Sequence, residues 1–185
     1  MEMIMLLNPE LLSITQSKQM GMWPNGNTVA DQMYPYVKRM KEPTVKILDI
    51  GDPKGENVYR FLELDQKGKI ESIDVIQKFL AKSMSAELDN LRGENLWSCP
   101  SKEKVHLNTE KKVGHYDLVC VNSESGLDTT LDMYYNSLKS GGIFCGNNHG
   151  HHPVKEALVA FRKKNKIGTP ILTAFDVWFW YKREQ

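Results

Sequence analysis

The stretch from Val45 to Val75, VKILDIGDPKGENVYRFLELDQKGKIESIDV, decides the fold of this chain. It predicts a strand, a glycine turn, a helix and a second strand. The first strand is the apolar run from Val45 to Ile50, which is typical of a strand buried on both faces of a parallel sheet. Gly51 and Gly55 then allow a sharp turn and the close approach of a ligand. Apolar residues at helical spacing follow, and a second apolar run surrounds Asp74.

The glycine turn predicts a ligand site at one edge of the sheet. In an open α/β sheet, ligands bind outside the carboxyl ends of the parallel strands. Asp49, the two glycines and Asp74 would lie at that edge. A standard dinucleotide fingerprint is absent, because Pro53 stands where its middle glycine would be. On this stretch alone, a strand-helix-strand unit that binds no ligand is an alternative.

Length and composition favour one ordinary globular domain. The chain has 185 residues, of which 41% are hydrophobic and 25% charged. A formal net charge of +1 gives no indication of binding to DNA, RNA or an anionic membrane. No apolar run approaches the length of a membrane span, and the N-terminus does not resemble a signal peptide. Three cysteines without C-x-x-C spacing indicate reduced thiols, so we expect a cytoplasmic protein.

Two motifs resemble class I S-adenosylmethionine (SAM) dependent methyltransferases. The segment DIGDPKG at 49–55, with Asp74 on the next strand, is similar to motif I and the acidic motif II of that family. The segment LKSGG at 138–142 is similar to the L-K-x-G-G turn that precedes the family's fifth strand. The first motif is closest in form to the subgroup of small-molecule and sugar O-methyltransferases.

The resemblance covers roughly residues 44 to 182 and implies an α/β fold. We expect a Rossmann-like three-layer α/β/α sandwich, with a mostly parallel seven-stranded sheet and an antiparallel C-terminal strand. One methyltransferase-like domain would span 1–185, with a helical lead-in at 1–43 and a SAM-binding core at 44–185.

Two local features of the chain, the helix around Pro35 and the third strand, each have two alternative interpretations. Thr28 to Met40 predicts a helix of the lead-in, and Pro35 inside it predicts a kink or a break. The third strand of the sheet has two candidate positions, Asn95 to Cys99 and Val105 to Asn108. Hydrophobic periodicity does not decide between them.

The resemblance implies which residues contact SAM. Asp74 would take the ribose hydroxyls and Ser101 the adenine. Asn122 ends the fourth predicted strand, where the family carries an acid beside the transferred methyl group or a metal ion. Four residues of the glycine turn would face the amino-acid end of the cofactor: Asp49, Gly51, Asp52 and Gly55.

Asparagines replace the carboxylates that hold a metal in the family's metal-dependent members. Asn122, Asn147 and Asn148 occupy those positions after strands four and five. A neutral amide oxygen is a poor sole basis for a magnesium site, which favours carboxylates. We therefore expect no metal.

The segment after the fifth strand supplies candidate bases. His149 or His151 could deprotonate an acceptor, because histidine exchanges protons near neutral pH. The histidine trio completed by His152 could instead bind a transition metal or form a solvated loop. Glu124 and Asp128 are alternative bases.

The lead-in supplies candidate residues of the substrate pocket. Trp23 and Asn25 are expected there, although Trp23 could equally anchor a loop on the core. The leading hypothesis is SAM-dependent O-methylation of a small-molecule acceptor. The alternative is a catalytically silent protein that has the SAM-binding fold and binds the cofactor or a partner. The loss of the acids at Asn122, Asn147 and Asn148 favours that alternative.

Overall fold

A mixed seven-stranded sheet forms the middle layer of the protein. The computed structural model describes residues 28–51, 55–76, 102–107, 110–122 and 126–183. The strands are Val45–Ile50 (β1), Ile70–Ile76 (β2), Val105–Leu107 (β3), Tyr116–Val121 (β4), Leu138–Gly146 (β5), Leu172–Ala174 (β6) and Val177–Tyr181 (β7). The described helices are Val29–Arg39 (α1), Glu56–Leu64 (α2), Leu127–Tyr134 (α3) and His152–Lys164 (α4), with short 3-10 segments at Lys102–Lys104 and Tyr135–Ser137.

The strand order is β3-β2-β1-β4-β5-β7-β6. The first five strands of that order are parallel to one another. β7 runs antiparallel to β5, and β6 pairs antiparallel with β7. The predicted Rossmann-like architecture, with its antiparallel C-terminal strand, is confirmed. The third strand lies at the second of its two candidate positions, and Asn95 to Cys99 fall outside the described residues.

Alternation along the central strands fills two hydrophobic layers. Ile47 of β1 belongs to the layer under α1 and α2, together with Phe61. Leu48, its neighbour in sequence, belongs to the opposite layer with Leu131 of α3 and Leu158 of α4. All five residues are fully or almost fully buried. This arrangement explains why β1 is apolar at nearly every position.

The helix α1 is unbroken at Pro35, so the break expected there does not occur. Thr28 caps its first turn, because the Thr28 hydroxyl accepts from the Asp31 amide at 3.1 Å in a reciprocal capping box. Val29, Met33 and Val37 form a buried face. Their packing compensates for the one backbone hydrogen bond that a proline removes. No helix in the described ranges has the length and apolarity of a membrane span.

The last residue of β5 gives a test of the sheet packing. A methyl group added at Gly146 would lie 2.3 Å from Trp178 Cζ2 and 2.5 Å from the Val121 carbonyl oxygen. Overpacking a core costs about 1–3 kcal/mol, so Gly146→Ala should lower the free energy of unfolding in urea by that amount. Gly168→Ala is the control, because no atom lies within 4 Å of its added methyl. Equal stability of the two variants would contradict the packing of β5 against β7.

Candidate functional site

The carboxyl ends of β1 and β4 lie side by side and are joined beyond their last paired residues. The Asn122 backbone amide donates to the Ile50 carbonyl oxygen at 2.8 Å. The Gly51 amide donates to the Ile76 carbonyl oxygen of β2 at 2.9 Å. The end of β1 is therefore hydrogen-bonded to both neighbouring strands at the point where Gly51 leaves the sheet.

The glycine turn requires two left-handed residues. Gly51 has φ 76° and Gly55, the N-cap of α2, has φ 68°. Residues with a side chain are disfavoured in this region, so the conformation favours glycine at both positions. Asp52, a predicted cofactor contact, lies between them and outside the described residues. The helix α2 begins directly after Gly55, at Glu56.

A chain of side-chain hydrogen bonds crosses this edge of the sheet. Asn122 Nδ2 donates to Asp49 Oδ1 at 2.7 Å, and Asn57 Nδ2 donates to Asn122 Oδ1 at 2.8 Å. The Ala30 backbone amide of α1 donates to Asn57 Oδ1 at 3.2 Å. Asp49 is fully buried and Asn57 is 6% exposed. The chain joins β1, β4, α2 and α1 through four groups.

At neutral pH, this chain of hydrogen bonds requires an amide side chain at position 122. Asn122 acts as a donor to one neighbour and as an acceptor from the other, and a carboxylate cannot do both. An ionised acid there would face the Asp49 carboxylate at hydrogen-bonding distance, where like charges repel. The asparagine that departs from the family pattern is therefore matched to its surroundings. Asn57, which joins it to α1, was not predicted from the sequence.

A buried ion pair holds α1 against α2 next to the site. Arg60 Nε lies 2.6 Å from Asp31 Oδ1, with the two side chains 2% and 3% exposed. Arg60 Nη1 also lies 2.8 Å from Glu63 Oε2. Breaking a buried pair on one side typically costs about 3–5 kcal/mol. The pair therefore fixes the position from which Ala30 reaches Asn57.

Asp74 is buried within β2, and its carboxylate is engaged by three side chains. The Tyr116 hydroxyl donates to Oδ2 at 2.5 Å, His106 Nδ1 lies 3.0 Å from Oδ1, and Lys112 Nζ lies 3.3 Å from Oδ2. Burial raises the pKa of the Asp74 carboxyl, but these hydrogen bonds outweigh it and hold the pKa below its usual value. The described contacts do not join Asp74 to the chain around Asn122, and its ribose contact stays a prediction.

The loop after β5 carries the predicted bases and is fastened to the turn between β6 and β7. The His149 amide donates to the Asp176 carbonyl oxygen at 2.9 Å. His151 is the exposed N-cap of α4. His152 Nδ1 lies 3.5 Å from Glu156 Oε2 on the helix surface. These histidines are therefore on the same edge as Asn122, because Gly146 at the end of β5 pairs with Val121 of β4.

Several predicted site residues lie outside the described ranges, namely Trp23, Asn25, Ser101 and Glu124. Asp128, an alternative base, is exposed in the first turn of α3. In the part of the chain that the structure describes, no group of three or more histidine, cysteine or acidic side chains is arranged to hold a metal ion. The expected independence from metal stays a prediction.

Comparisons with known proteins show the fold. The sequence matches no protein-family model and no curated protein. The O-methyltransferase NovP is similar at TM-score 0.62 and 14% identity, over 88% of this chain and 85% of that one. The tRNA methyltransferase TrmI from Aquifex aeolicus is similar at 0.59 and 13%, over 84% and 69%. M. jannaschii TYW2 in complex with AdoMet is similar at 0.52 and 16%, over 88% and 78%. The chain thus has the class I methyltransferase fold, as its motifs predicted.

The amide at position 122 can be tested by an isosteric change. Asn122→Asp places a second acid against Asp49, and the pair then favours a shared proton, which raises its pKa. The folded variant binds more protons than the unfolded chain, so its stability falls as pH rises. We expect a loss of about 1.5–3 kcal/mol at pH 8 that largely recovers at pH 5 in urea denaturation. Asn122→Ala is the control and should show no such recovery; identical pH profiles would contradict the chain of hydrogen bonds.

The Tyr116 hydroxyl, which donates to Asp74, gives a prediction in which the cost of the substitution grows with rising pH from about pH 4 to pH 7. Because the folded pKa of Asp74 is depressed, its contribution to stability is present above its unfolded pKa and is lost as pH falls. Tyr116→Phe should therefore cost about 1.5–3 kcal/mol at pH 7, and this cost should shrink below about pH 4. The partly exposed Tyr181 supplies the control Tyr181→Phe, for which little change is expected. A cost for Tyr116→Phe that is independent of pH would assign it to packing alone.

Proposed function

We propose that this chain binds SAM at the carboxyl ends of β1 and β4 and transfers its methyl group to an acceptor. The observation that carries the proposal is the glycine turn, with Gly51 and Gly55 both left-handed at the end of the central strand. This turn belongs to a seven-stranded sheet in a fold that is similar to the O-methyltransferase NovP at TM-score 0.62. One solved structure of this fold is a complex with AdoMet.

The residues of the edge fit such a cofactor. Gly51 and Gly55 carry no side chain, which permits the close approach of a ligand to the backbone. The first turn of α2 presents backbone N–H groups and the positive end of the helix dipole, which suit the carboxylate of an amino-acid moiety. Asn122 is half-buried and offers a neutral polar group beside that turn. Asp49 acts through Asn122, which it orients.

The bound cofactor supplies an electrophilic methyl group, because the sulfonium of SAM is itself the activated reagent. The protein then has to align the acceptor and remove its proton. Asn122 is neutral and serves alignment only. His149 and His151 are the proposed bases, since both lie on the loop that follows β5 at the same edge. His152 is directed towards Glu156 on the surface of α4.

Two contacts with the cofactor remain part of the proposal. The side chains of His106 and Lys112 contact the Asp74 carboxylate and are about half exposed. Asp74 would therefore bind the ribose only if one of them moved away from the carboxylate. Ser101 would contact the adenine. The expected residues of the acceptor pocket are Trp23 and Asn25.

The acceptor we favour is a small molecule methylated on oxygen. The similar fold of the O-methyltransferase NovP and the net charge of +1 support this choice. The similar fold of the tRNA methyltransferase TrmI supports the competing choice of a nucleic acid. A cytoplasmic protein with one domain and no metal is the remaining expectation.

A catalytically silent SAM-binding protein is the second candidate. The observation that favours it is the neutral end of β4, where Asn122 occupies the position of an acid and is engaged by Asn57 and Asp49. Methyl transfer to any acceptor would exclude this candidate.

The cofactor proposal is tested by calorimetry with SAM, using NAD as the contrasting ligand. Gly51→Ala and Gly68→Ala form a matched pair, because the two glycines have φ 76° and 71° and no atom lies within 4 Å of a methyl added at Gly68. Each variant should lose about 1–2 kcal/mol of stability from the left-handed penalty. Only Gly51→Ala should also weaken SAM binding, by about tenfold or more. Equal affinity in both variants, or heat from NAD alone, would refute the assignment.

A further inference from the structure

The turn between β6 and β7 carries an exposed aromatic residue in a disfavoured backbone conformation. Phe175 is 81% exposed and has φ 53°. A bulky side chain in the left-handed region is a genuine outlier, and residues of this kind concentrate at ligand-binding sites. Glycine at this position would relieve the backbone strain, and a polar side chain would be better solvated than an exposed aromatic ring. The two-residue turn between the paired residues Ala174 and Val177 accounts for a left-handed residue, for which glycine, asparagine or aspartate is usual, but not for an exposed phenylalanine.

This turn is held in place against the candidate site. Asp176 Oδ1 accepts from the Gly150 amide at 2.7 Å, and the Asp176 carbonyl oxygen accepts from the His149 amide at 2.9 Å. Two hydrogen bonds therefore fasten the residue that follows Phe175 to the loop carrying the proposed base. The aromatic ring is exposed, but the backbone that carries it is anchored.

Strand register places this turn on the same edge of the sheet as Asn122. β7 runs antiparallel to β5 and so begins where β5 ends, with Trp178 paired to Gly146. Gly146 is in turn paired to Val121, the residue before Asn122. Neighbouring strands lie about 4.8 Å apart, so β7 is about 10 Å from β4 across the edge. With a methyl donor at the end of β4, as in the proposed function, a span of this size between β4 and β7 has room for one aromatic ring.

We propose that Phe175 is a specificity-determining residue that packs against the aromatic ring of the acceptor. This inference rests on the proposed function and names the class of its substrate, an uncharged aromatic alcohol. Aromatic pairs adopt offset-stacked or edge-to-face geometries, which an anchored ring at the rim of a site can provide. The loop at 147–151 and the turn at 175–176 contain the carboxylate of Asp176 and no lysine or arginine. Their composition favours a neutral ring over a polyanion.

Backbone strain provides a matched pair of variants. Lys166 has φ 52°, is also exposed, and lies just after α4, away from the turn of Phe175. Phe175→Gly and Lys166→Gly should both raise the thermal midpoint, because glycine relieves the same conformation. A loss of acceptor binding that accompanies a gain in stability is not expected of a residue with a purely structural role.

The probe is phenol, titrated by NMR into the protein saturated with S-adenosylhomocysteine, with cyclohexanol as the non-aromatic comparison. We expect wild type to bind phenol more tightly than cyclohexanol. The phenol dissociation constant should rise about tenfold in Phe175→Gly and stay unchanged in Lys166→Gly. A direct titration of S-adenosylhomocysteine accompanies each variant and should give the same affinity in all three proteins.

The outcomes separate this inference from the proposed function. Absence of S-adenosylhomocysteine binding refutes the proposed function and the inference that rests on it. If S-adenosylhomocysteine binds normally but phenol does not bind, the inference alone is refuted. The same holds if phenol binds equally to wild type and Phe175→Gly. Binding of pentauridine that weakens in Phe175→Gly, without binding of phenol, would instead assign the ring to stacking on a nucleic-acid base.

Discussion

The hydrogen bond from the Asn122 amide to the buried Asp49 carboxylate is the interaction on which the site depends. A buried charge is costly unless it is hydrogen-bonded, and Asp49 lies in the central strand with no exposed surface. Its partner must donate, and the same partner must accept from Asn57, so an amide fits between them and an ionised carboxylate does not. Through Asn57, that side chain is joined to α2 and to the Ala30 amide of α1.

The two left-handed glycines and this amide constrain each other. Gly51 and Gly55 bound the segment that links β1 to α2, and Asn57 in the first turn of α2 contacts Asn122. The ion pair between Arg60 and Asp31 holds α1 at the distance from which its backbone reaches Asn57. Local conformation, helix packing and the polar edge therefore form one arrangement, and disturbing any part would displace the others.

The sequence predicted the parts of the fold that depend on burial. β1, β4 and β5 are long and apolar because helices cover both faces of the sheet. Such apolar runs can be recognised directly in the amino-acid sequence. β3 has only three residues, too few for periodicity to place it. The motif located Asp74, but its partners Tyr116 and His106 lie 42 and 32 residues away, and no local pattern encodes such contacts. Asn57 was missed for the same reason.

The neutral side chain of Asn122 bears on the chemistry that the end of β4 can perform. Asn122 cannot accept a proton, and the Asp49 carboxylate is buried beneath it. Under the proposed function, a reagent that carries an activated methyl group needs alignment and, at most, a base, which His149 or His151 would supply. The end of β4, under the proposed function, positions the methyl donor, and we assign discrimination between acceptors to the loop after β5 and the turn of Phe175.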